Sequence, residues 1–450
     1  MKKVITYGSF DLFHTGHYNL LKRAKALGDY LIVGVTTEQY DEYRGKMNVI
    51  DSLMERIENI KATGFADEII IEDHPGQKVE DIQKYNVDIF AIGSDWTGAF
   101  DYLTDYCEVV YLERTKDVSS TMIRNKKFNI IRMGIIGSGR IANRFVPEAK
   151  YVSGINSEGV YNPNLESAKA FANRFELKFF TNDINYFFEN VDAVYIASPH
   201  NTHYDYIKKS LSNGKHVLCE KPLTLSASQS RECFELAKEK NLILMEEIKT
   251  AYCPGFNKML SIAKSGGIGK IKDIEGCFTK LVGSNMRELK KEENGGSVTE
   301  LASYPLLPII KLFGTDYNGL TFDSFRNNEG VDVFTKIYLK YPKAIATAKV
   351  GLGVKSEGEL IISGTNGYIY VAPPWWKTQY FEVRYENIEE NEKFFTKFLG
   401  DGLRYALSDF VSLVNGNTKK SNKLTEKESI AISEIIDEFL NNEGVNNINM

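Results

Sequence analysis

Cysteine is scarce in this chain. Five residues in 450, Cys107, Cys219, Cys233, Cys253 and Cys277, are odd in number and widely spaced, with no C-x-x-C or Cys/His pairing. Neither a disulfide framework nor a zinc site is expected from such usage, and the cytoplasm is the compartment it suits. Long apolar runs are missing too: no segment offers the roughly 20 consecutive apolar residues that cross a bilayer, so no membrane span is expected. The opening MKKVITYGSFD turns polar too quickly for a signal-peptide core and reads as a first β-strand. An excess of positive charge is also lacking. With a net charge of −5 and no basic stripe, nucleic acid is not the expected partner.

What is present is a folded chain of more than one domain. A hydrophobic fraction of 43% beside 26% charged residues is that of a globular protein, and 450 residues exceed one ordinary core. Apolar strand-like runs alternate with amphipathic helical stretches twice over, the mark of α/β domains with parallel sheets. The first series runs VITYGSF, helix 17–27, LIVGVTT, helix 51–63, EIIIE, helix 78–85, IFAIGSD and VVYLERT, with a short helix after Ser119. The polar, basic NKKFN at 125–129 breaks it, and IIRMGIIGSGRIA starts the second. From about residue 248 strand-like runs follow in close succession, as in an antiparallel sheet, and 403–414 and 425–441 return to helical periodicity. The expected domains are 1–128, 129–247 and 248–450. The polar tail NNEGVNNINM is expected to fray.

Between the first strand and the first helix stands HTGH at 14–17. It places His14, His17 and backbone N–H donors at a helix N-terminus, where the unpaired donors and the dipole stabilise phosphate oxygens. With only six histidines, H-x-G-H would arise by chance in roughly one of 160 chains of this composition. Around it, GSFDLFHTGH, IFAIGSDWTGAFDYL and VVYLERTKDVSSTMIR together make residues 1–128 resemble the glycerol-3-phosphate cytidylyltransferases of the HxGH nucleotidyltransferase superfamily. The resemblance implies a Rossmann-like domain that transfers CMP from CTP, carrying Mg²⁺, directly to a polyol phosphate. It assigns catalysis to His14, His17, Lys46 and Arg114. It assigns nucleotide binding to Gly8, Phe10, Asp11, Arg56, Gly93, Asp95, Ser119, Ser120 and Thr121 besides His14, His17 and Arg114. No protein-held metal site is implied, although Asp11 could touch the ion. Three departures stand out: Ser94 replaces a carboxylate of the family's G-D-D-W, Asp117 a glycine, and Gly64 a basic residue ahead of the aromatic and D-E. The loss of charge at Gly64 points to a different acceptor phosphate.

The second series opens with GSGRIA, a G-x-G-x-x-A between strand and helix whose Gly137 and Gly139 allow a tight turn and close approach of a pyrophosphate. With DAVYIASPHNTH and GKHVLCEKP it makes residues 130–390 resemble the glucose-fructose oxidoreductase and inositol dehydrogenase family, Gfo/Idh/MocA. The resemblance implies a dinucleotide-binding Rossmann domain followed by an α+β domain with a large, mostly antiparallel sheet. It places Gly137, Gly139, Arg140, Ile141, Asn162, Ser198, Pro199, His203, Glu220 and Lys221 at the cofactor, with Lys221 beside the nicotinamide and Pro222 in a cis or tight turn that aims it. NGGSVTELASYP then puts Glu300 and Tyr304 at the substrate, Tyr304 as proton donor. His200 borders the same loop. Asn162 stands where an NAD-preferring domain carries an acid for the ribose diol, so NADP(H) is favoured over NAD(H), with Arg140 and Lys169 candidates for the 2′-phosphate.

Together the two halves suggest consecutive steps: NADPH-dependent reduction of a sugar- or keto-phosphate to a polyol phosphate, then its conversion to a CDP-polyol for a teichoic-acid or capsule-type polymer. The alternative keeps only the transferase active, with the second half a cofactor-sensing or oligomerising module. A homodimer or homotetramer is expected, since both resembled families are usually oligomeric and the broad sheet needs cover.

Overall fold

The computed structural model describes residues 1–47, 49–113, 130–283, 286–416 and 420–449. The chain divides into two compact units, Met1–Ile130 with Lys150–Ile155, and Ile131–Ala149 with Asn156–Met450.

The first unit is built on five parallel strands, β1 (Lys3–Gly8), β2 (Tyr30–Thr36), β3 (Glu68–Glu72), β4 (Ile89–Gly93) and β5 (Glu108–Leu112), in the order β3-β2-β1-β4-β5. Apolar runs rather than alternation form these strands because both faces are covered. Val4, Leu31 and Val33 pack with Leu21, Ala24 and Ile60 on one side, and Ile5 and Ile32 with Ile82 and Leu103 on the other. The expected helices appear as Thr15–Lys25, Leu53–Lys61 and Gln77–Tyr85, the second closed by a capping box between Ser52 and Glu55. A short helix, Glu38–Tyr43, was not expected. The sheet reverses its winding between β1 and β4, which opens a crevice at the carboxyl ends of those strands.

In the second unit, β6 (Ile131–Ile136), β7 (Ile155–Tyr161), β8 (Phe179–Thr181), β9 (Ala193–Ile196), β10 (His216–Glu220) and β11 (Leu244–Glu247) form a sheet ordered β11-β10-β9-β6-β7-β8, reversing between β6 and β9. A nine-stranded sheet follows: β12 (Ile271–Thr279), β13 (Gly319–Arg326), β14 (Asp332–Tyr341), β15 (Ala344–Gly351), β16 (Leu360–Gly364), β17 (Tyr368–Val371), β18 (Tyr380–Arg384), β19 (Glu392–Phe395) and β20 (Val445–Asn449). Its pairs are antiparallel except β12 with β15 and β13 with β20. Along β14 burial alternates, Ile337 and Leu339 inward against exposed Lys336, Tyr338 and Lys340, as a sheet with one covered face requires.

Two expectations are corrected. The polar tail does not fray: Val445–Asn449 pairs with β13 as a parallel edge strand, where backbone hydrogen bonds replace the apolar burial it lacks. Within the stretch read as strands lie helices Pro254–Ser265 and Ser303–Phe313. The second, SYPLLPIIKLF, is buried on nearly every side, so no 3.6-residue polar face betrays it.

Helices Ala142–Ala149 and Leu403–Val414 are tied by a buried bidentate pair: Arg404 Nε and Nη2 donate to Glu148 at 2.9 and 2.7 Å. A guanidinium left alone there would be a desolvated charge. Glu148→Ala is expected to destabilise the second unit by about 3–5 kcal/mol, and Glu148→Leu combined with Arg404→Leu by clearly less, measured by chemical denaturation.

Candidate functional sites

In the first unit the chain leaves β1 through a loop in which Phe10 and Leu12 have positive φ, and enters helix Thr15–Lys25 with His14 as its N-cap. His14 Nδ1 accepts from the backbone N–H of Gly16 at 3.0 Å and of His17 at 3.3 Å. The neutral imidazole therefore carries its proton on Nε2, as a donor. Gly16 is what lets the ring fold back, since a Cβ there would lie 2.8 Å from His14 Cε1. The His17 ring stacks on His14 with centroids 3.8 Å apart and meets Phe10 edge-on at 5.4 Å. Phe10 is thus a buried support for His17 rather than an exposed nucleotide contact. A Cβ on Gly8 would press on that Phe10 ring at 3.0 Å, whereas one on Gly93, at the end of β4, would meet nothing within 4 Å. Asp95 is exposed just beyond it.

The predicted cations separate. Lys46 is half-buried, and burial lowers its pKa against the opposing pull of Asp11 and Asp41. Asp11 Oδ1 accepts from the backbone of Ile50 at 2.9 Å and of Asp51 at 2.8 Å, which fixes the loop that follows Lys46. Arg56, expected to bind nucleotide, is fully buried. It donates to the carbonyls of Asp51, Ser9 and Thr36 and reaches Asp41 at 3.4 Å and Glu38 at 3.3 Å, so it clips the fold rather than presenting a face to phosphate. Gly64 has φ +70° and so a backbone reason of its own to be glycine. Arg114, Ser119, Ser120 and Thr121 lie outside the described residues, as does Asp117. One cluster escaped the sequence reading: Lys78 and Arg44 both pair with the buried Glu72, and Lys78 lies over the Tyr7 ring.

In the second unit Gly137 follows β6 with φ +97°, and a Cβ there would strike the Ala197 carbonyl at 2.7 Å. Around Gly139 the space is open. Gly139, Arg140 and Ile141 lead into helix Ala142–Ala149, so a turn with room beside it meets a helix N-terminus, as a dinucleotide pyrophosphate requires. Asn162, at the end of β7, donates to Ser138 Oγ at 2.8 Å. No carboxylate takes its place. Lys169 is exposed. Arg140 differs from expectation, since its guanidinium is paired with the buried Glu288.

Beyond β9, Ser198 and Pro199 lead to His203, whose nitrogens face the carbonyls of Pro222 at 2.9 Å and Ser198 at 3.0 Å. Burial lowers its pKa to about 4, so at neutral pH only one of these contacts is a hydrogen bond. This fully buried ring holds the two loops together; it is not exposed to a cofactor. Past β10, Lys221 precedes a cis Pro222 and donates from Nζ to the Glu300 carbonyl at 2.8 Å, 6.0 Å from the centre of the Tyr304 ring. The Glu300 carboxylate lies 3.3 Å from Arg287 and 3.9 Å from His200 Nδ1. Burial, with Lys221 nearby, holds His200 well below its usual pKa, hence neutral. Burial beside Glu220 and Glu247 pushes the Tyr304 phenol far up, so it keeps its proton. Lys221 is thus brought to Glu300 and Tyr304, 79 or more residues further along the chain, and Arg287 joins through the Glu300 carboxylate unforeseen, as Glu288 does at Arg140.

Known proteins divide along the same line. Residues 5–126 match the cytidylyltransferase-like family, and residues 131–248 the oxidoreductase family with an NAD-binding Rossmann fold, GFO_IDH_MocA. The glycerol-3-phosphate cytidylyltransferase of Bacillus spizizenii is 50% identical over 124 residues, 28% of this chain and 95% of that protein. The scyllo-inositol 2-dehydrogenase (NADP(+)) of Bacillus subtilis is 26% identical over 330 residues, 70% of this chain and 98% of that protein. A 3-ketoreductase from Actinomadura kijaniata, solved with NADP and TDP-benzene, shares the fold with a TM-score of 0.64 and 22% identity, over 72% of this chain and 100% of its own. The chain belongs to the cytidylyltransferase-like family through its N-terminal domain, to which an NAD(P)-dependent oxidoreductase of the GFO_IDH_MocA type is fused, making it a two-activity enzyme.

Proposed function

We propose that this enzyme makes a CDP-polyol, reducing a keto- or aldose phosphate with NADPH and then transferring CMP from CTP to the resulting polyol phosphate. The observation that carries the reading is the convergence of Lys221, Glu300 and Tyr304 in a chain that also holds the His14–His17 pair at a helix N-terminus. A silent module would have no need to keep the Lys221 ammonium on the Glu300 backbone beside the Tyr304 ring, with the Glu300 carboxylate held by Arg287. The product suits a teichoic-acid or capsule-type polymer. Gly64 and Ser94 favour an acceptor other than glycerol 3-phosphate.

In the transferase, the polyol phosphate oxygen bonds to the α-phosphorus of CTP as the bond to the bridging oxygen breaks and pyrophosphate leaves. His14 Nε2–H and His17, at the helix N-terminus, stabilise the charge that builds on that oxygen. Mg²⁺ bound to CTP would neutralise charge on the triphosphate, and the resemblance gives Arg114, Ser119, Ser120 and Thr121 the role of nucleotide contacts. Among the described residues no group of three His, Cys, Asp or Glu gathers to hold an ion alone.

In the reductase, Gly137, Gly139 and Ile141 hold the dinucleotide, and Asn162 tolerates a 2′-phosphate that an acid would repel. When bound, the nicotinamide supplies a hydride to the carbonyl carbon. Lys221 polarises the carbonyl oxygen, Glu300 and Arg287 orient the substrate, and Tyr304 gives the oxygen its proton. A homodimer or homotetramer covers the nine-stranded sheet where Tyr338 and Ile345 are exposed. The domains follow the borders 128/129 and 247/248.

The purified chain is expected to consume NADPH with at least one of dihydroxyacetone phosphate and the four- to six-carbon keto- and aldose phosphates, and to form a CDP-alditol once CTP is added. Absence of both products overturns the reading. Lys221→Ala is expected to lower NADPH oxidation by at least ~100-fold with CMP transfer intact. His14→Ala reverses the pattern, lowering pyrophosphate release by about 10²–10³-fold with reduction intact.

A further inference from the structure

Glu300 sits on a helix of five residues, Ser297–Leu301, too short to hold its own position by the hydrogen bonds along its length. Its first turn is completed from a distance. Gly296, at the N-cap, has no side chain to accept from the free N–H groups, and Asp332 on β14 accepts in its place. Asp332 Oδ2 takes the backbone N–H of Val298 at 2.8 Å and the Ser297 hydroxyl at 2.6 Å. An N-cap side chain makes the same bond to the second helical residue; here it comes from 34 residues further along the chain. The carboxylate approaches Gly296 so closely that a Cβ there would collide with Asp332 Oδ1, and the φ of +142° favours glycine as well.

The strand aims Asp332 at this helix. Val331, Asp332 and Val333 are all buried, a break in the alternation of β14, and the register with β13 shifts between Phe325 and Arg326, the residue opposite Asp332. A bulge of this kind re-aims a side chain. Thr335 Oγ1 lies 3.4 Å from the carboxylate and 2.9 Å from Ser324 Oγ, so the partners of Asp332 are hydroxyl and amide donors. Burial raises its pKa to about 6, which leaves it at neutral pH an anion at the positive end of the helix dipole.

From Asp332 consecutive bonds lead to Lys221. The Glu300 N–H is bonded to the Gly296 carbonyl at 3.0 Å, and the Glu300 carbonyl receives Lys221 Nζ at 2.8 Å. The Ala302 N–H is bonded to the Val298 carbonyl at 3.0 Å, which carries the run on into helix Ser303–Phe313 and Tyr304. We infer that Asp332 is a positioning residue for reduction: by anchoring the start of helix Ser297–Leu301 it fixes the carbonyl on which the Lys221 ammonium rests, and with it the Glu300 carboxylate. The inference rests on Lys221 as the group that polarises the substrate carbonyl in the proposed reading. Without the anchor the first turn frays and the Glu300 carbonyl shifts. Lys221 then loses the partner that holds it, and a misplacement of about 1 Å costs on the order of 100-fold in rate.

The test uses the full chain, NADPH and whichever sugar phosphate of the panel is reduced fastest. Asp332→Ala is expected to lower kcat of reduction by about tenfold to 100-fold with the KM for NADPH unchanged. Asp332→Asn keeps an oxygen that accepts from Ser297 and Val298, and is expected to bring kcat back to within about threefold of the unaltered chain. Unaltered kcat in Asp332→Ala overturns the inference, as does an Asp332→Asn chain no faster than Asp332→Ala, or a loss spread equally over kcat and the KM for NADPH. Lys221→Ala separates the two readings: undiminished reduction by that variant removes Lys221 from the chemistry and the positioning role with it, as does a panel in which nothing is reduced. Lost reduction there beside unaltered kcat in Asp332→Ala removes only the positioning role. Should Asp332→Ala fail to fold, Ser297→Ala decides, since it deletes only the bond from the hydroxyl: kcat lowered by about fivefold at an unchanged KM for NADPH supports the anchor, and unaltered kcat overturns it.

Discussion

Parallel strands can be joined only by right-handed crossovers, and each parallel sheet here winds both ways from a central strand, so each leaves one gap at its carboxyl edge. The chemistry follows from that constraint. His14 and His17 come directly after β1, and Gly93 and Asp95 close and follow β4; Gly137 comes after β6, Ser198 after β9 and Lys221 after β10. In both units the groups of interest are the first residues past a strand bordering, or next to, the point of reversal. Helix N-termini start there as well, that after β1 with its Gly16 and His17 N–H groups held by His14 Nδ1.

The second governing term is the cost of burying charge. The Arg404–Glu148 pair meets it with two charge-assisted bonds, and Arg56 meets it in large part through three carbonyls, although its Nη2 has no hydrogen-bond partner; each serves the fold. Glu220 and Glu247 do not meet it. They form an adjacent acidic pair whose one hydrogen bond comes from Tyr195 to Glu220, while neither oxygen of Glu247 has a partner.

How far each site was legible depended on how local its signal is. HTGH, GSGRIA and EKP are contiguous, and their spacing with the flanking strands and helices suffices to place His14, His17, Gly137 and Lys221. Arg56 misled because a basic residue in a basic segment looks like a phosphate grip, and only its burial reveals three backbone carbonyls as its partners. His203 misled likewise. Arg287 and Glu288 carried no motif, since they enter the site only by partners about 150 residues or a helix away, Arg140 and Glu300. Glu247 left one trace, two acids ending the apolar strand LILMEE, which few buried strands carry without a reason.

The sequence by itself determined the two α/β series, the two families and the contiguous motifs, because strand and helix periodicity and loop motifs are properties of neighbouring residues. Only the tertiary structure decided what depends on register and burial across distant segments. Such decisions include the union of Lys221 with Glu300 and Tyr304, the commitment of Arg56 to the fold and the capture of the polar C-terminal strand by β13. The side-by-side register of Glu220 and Glu247 is of the same kind: whether a charged side chain is a solvated face or a buried clip is set by what surrounds it, and that is absent from the linear chain.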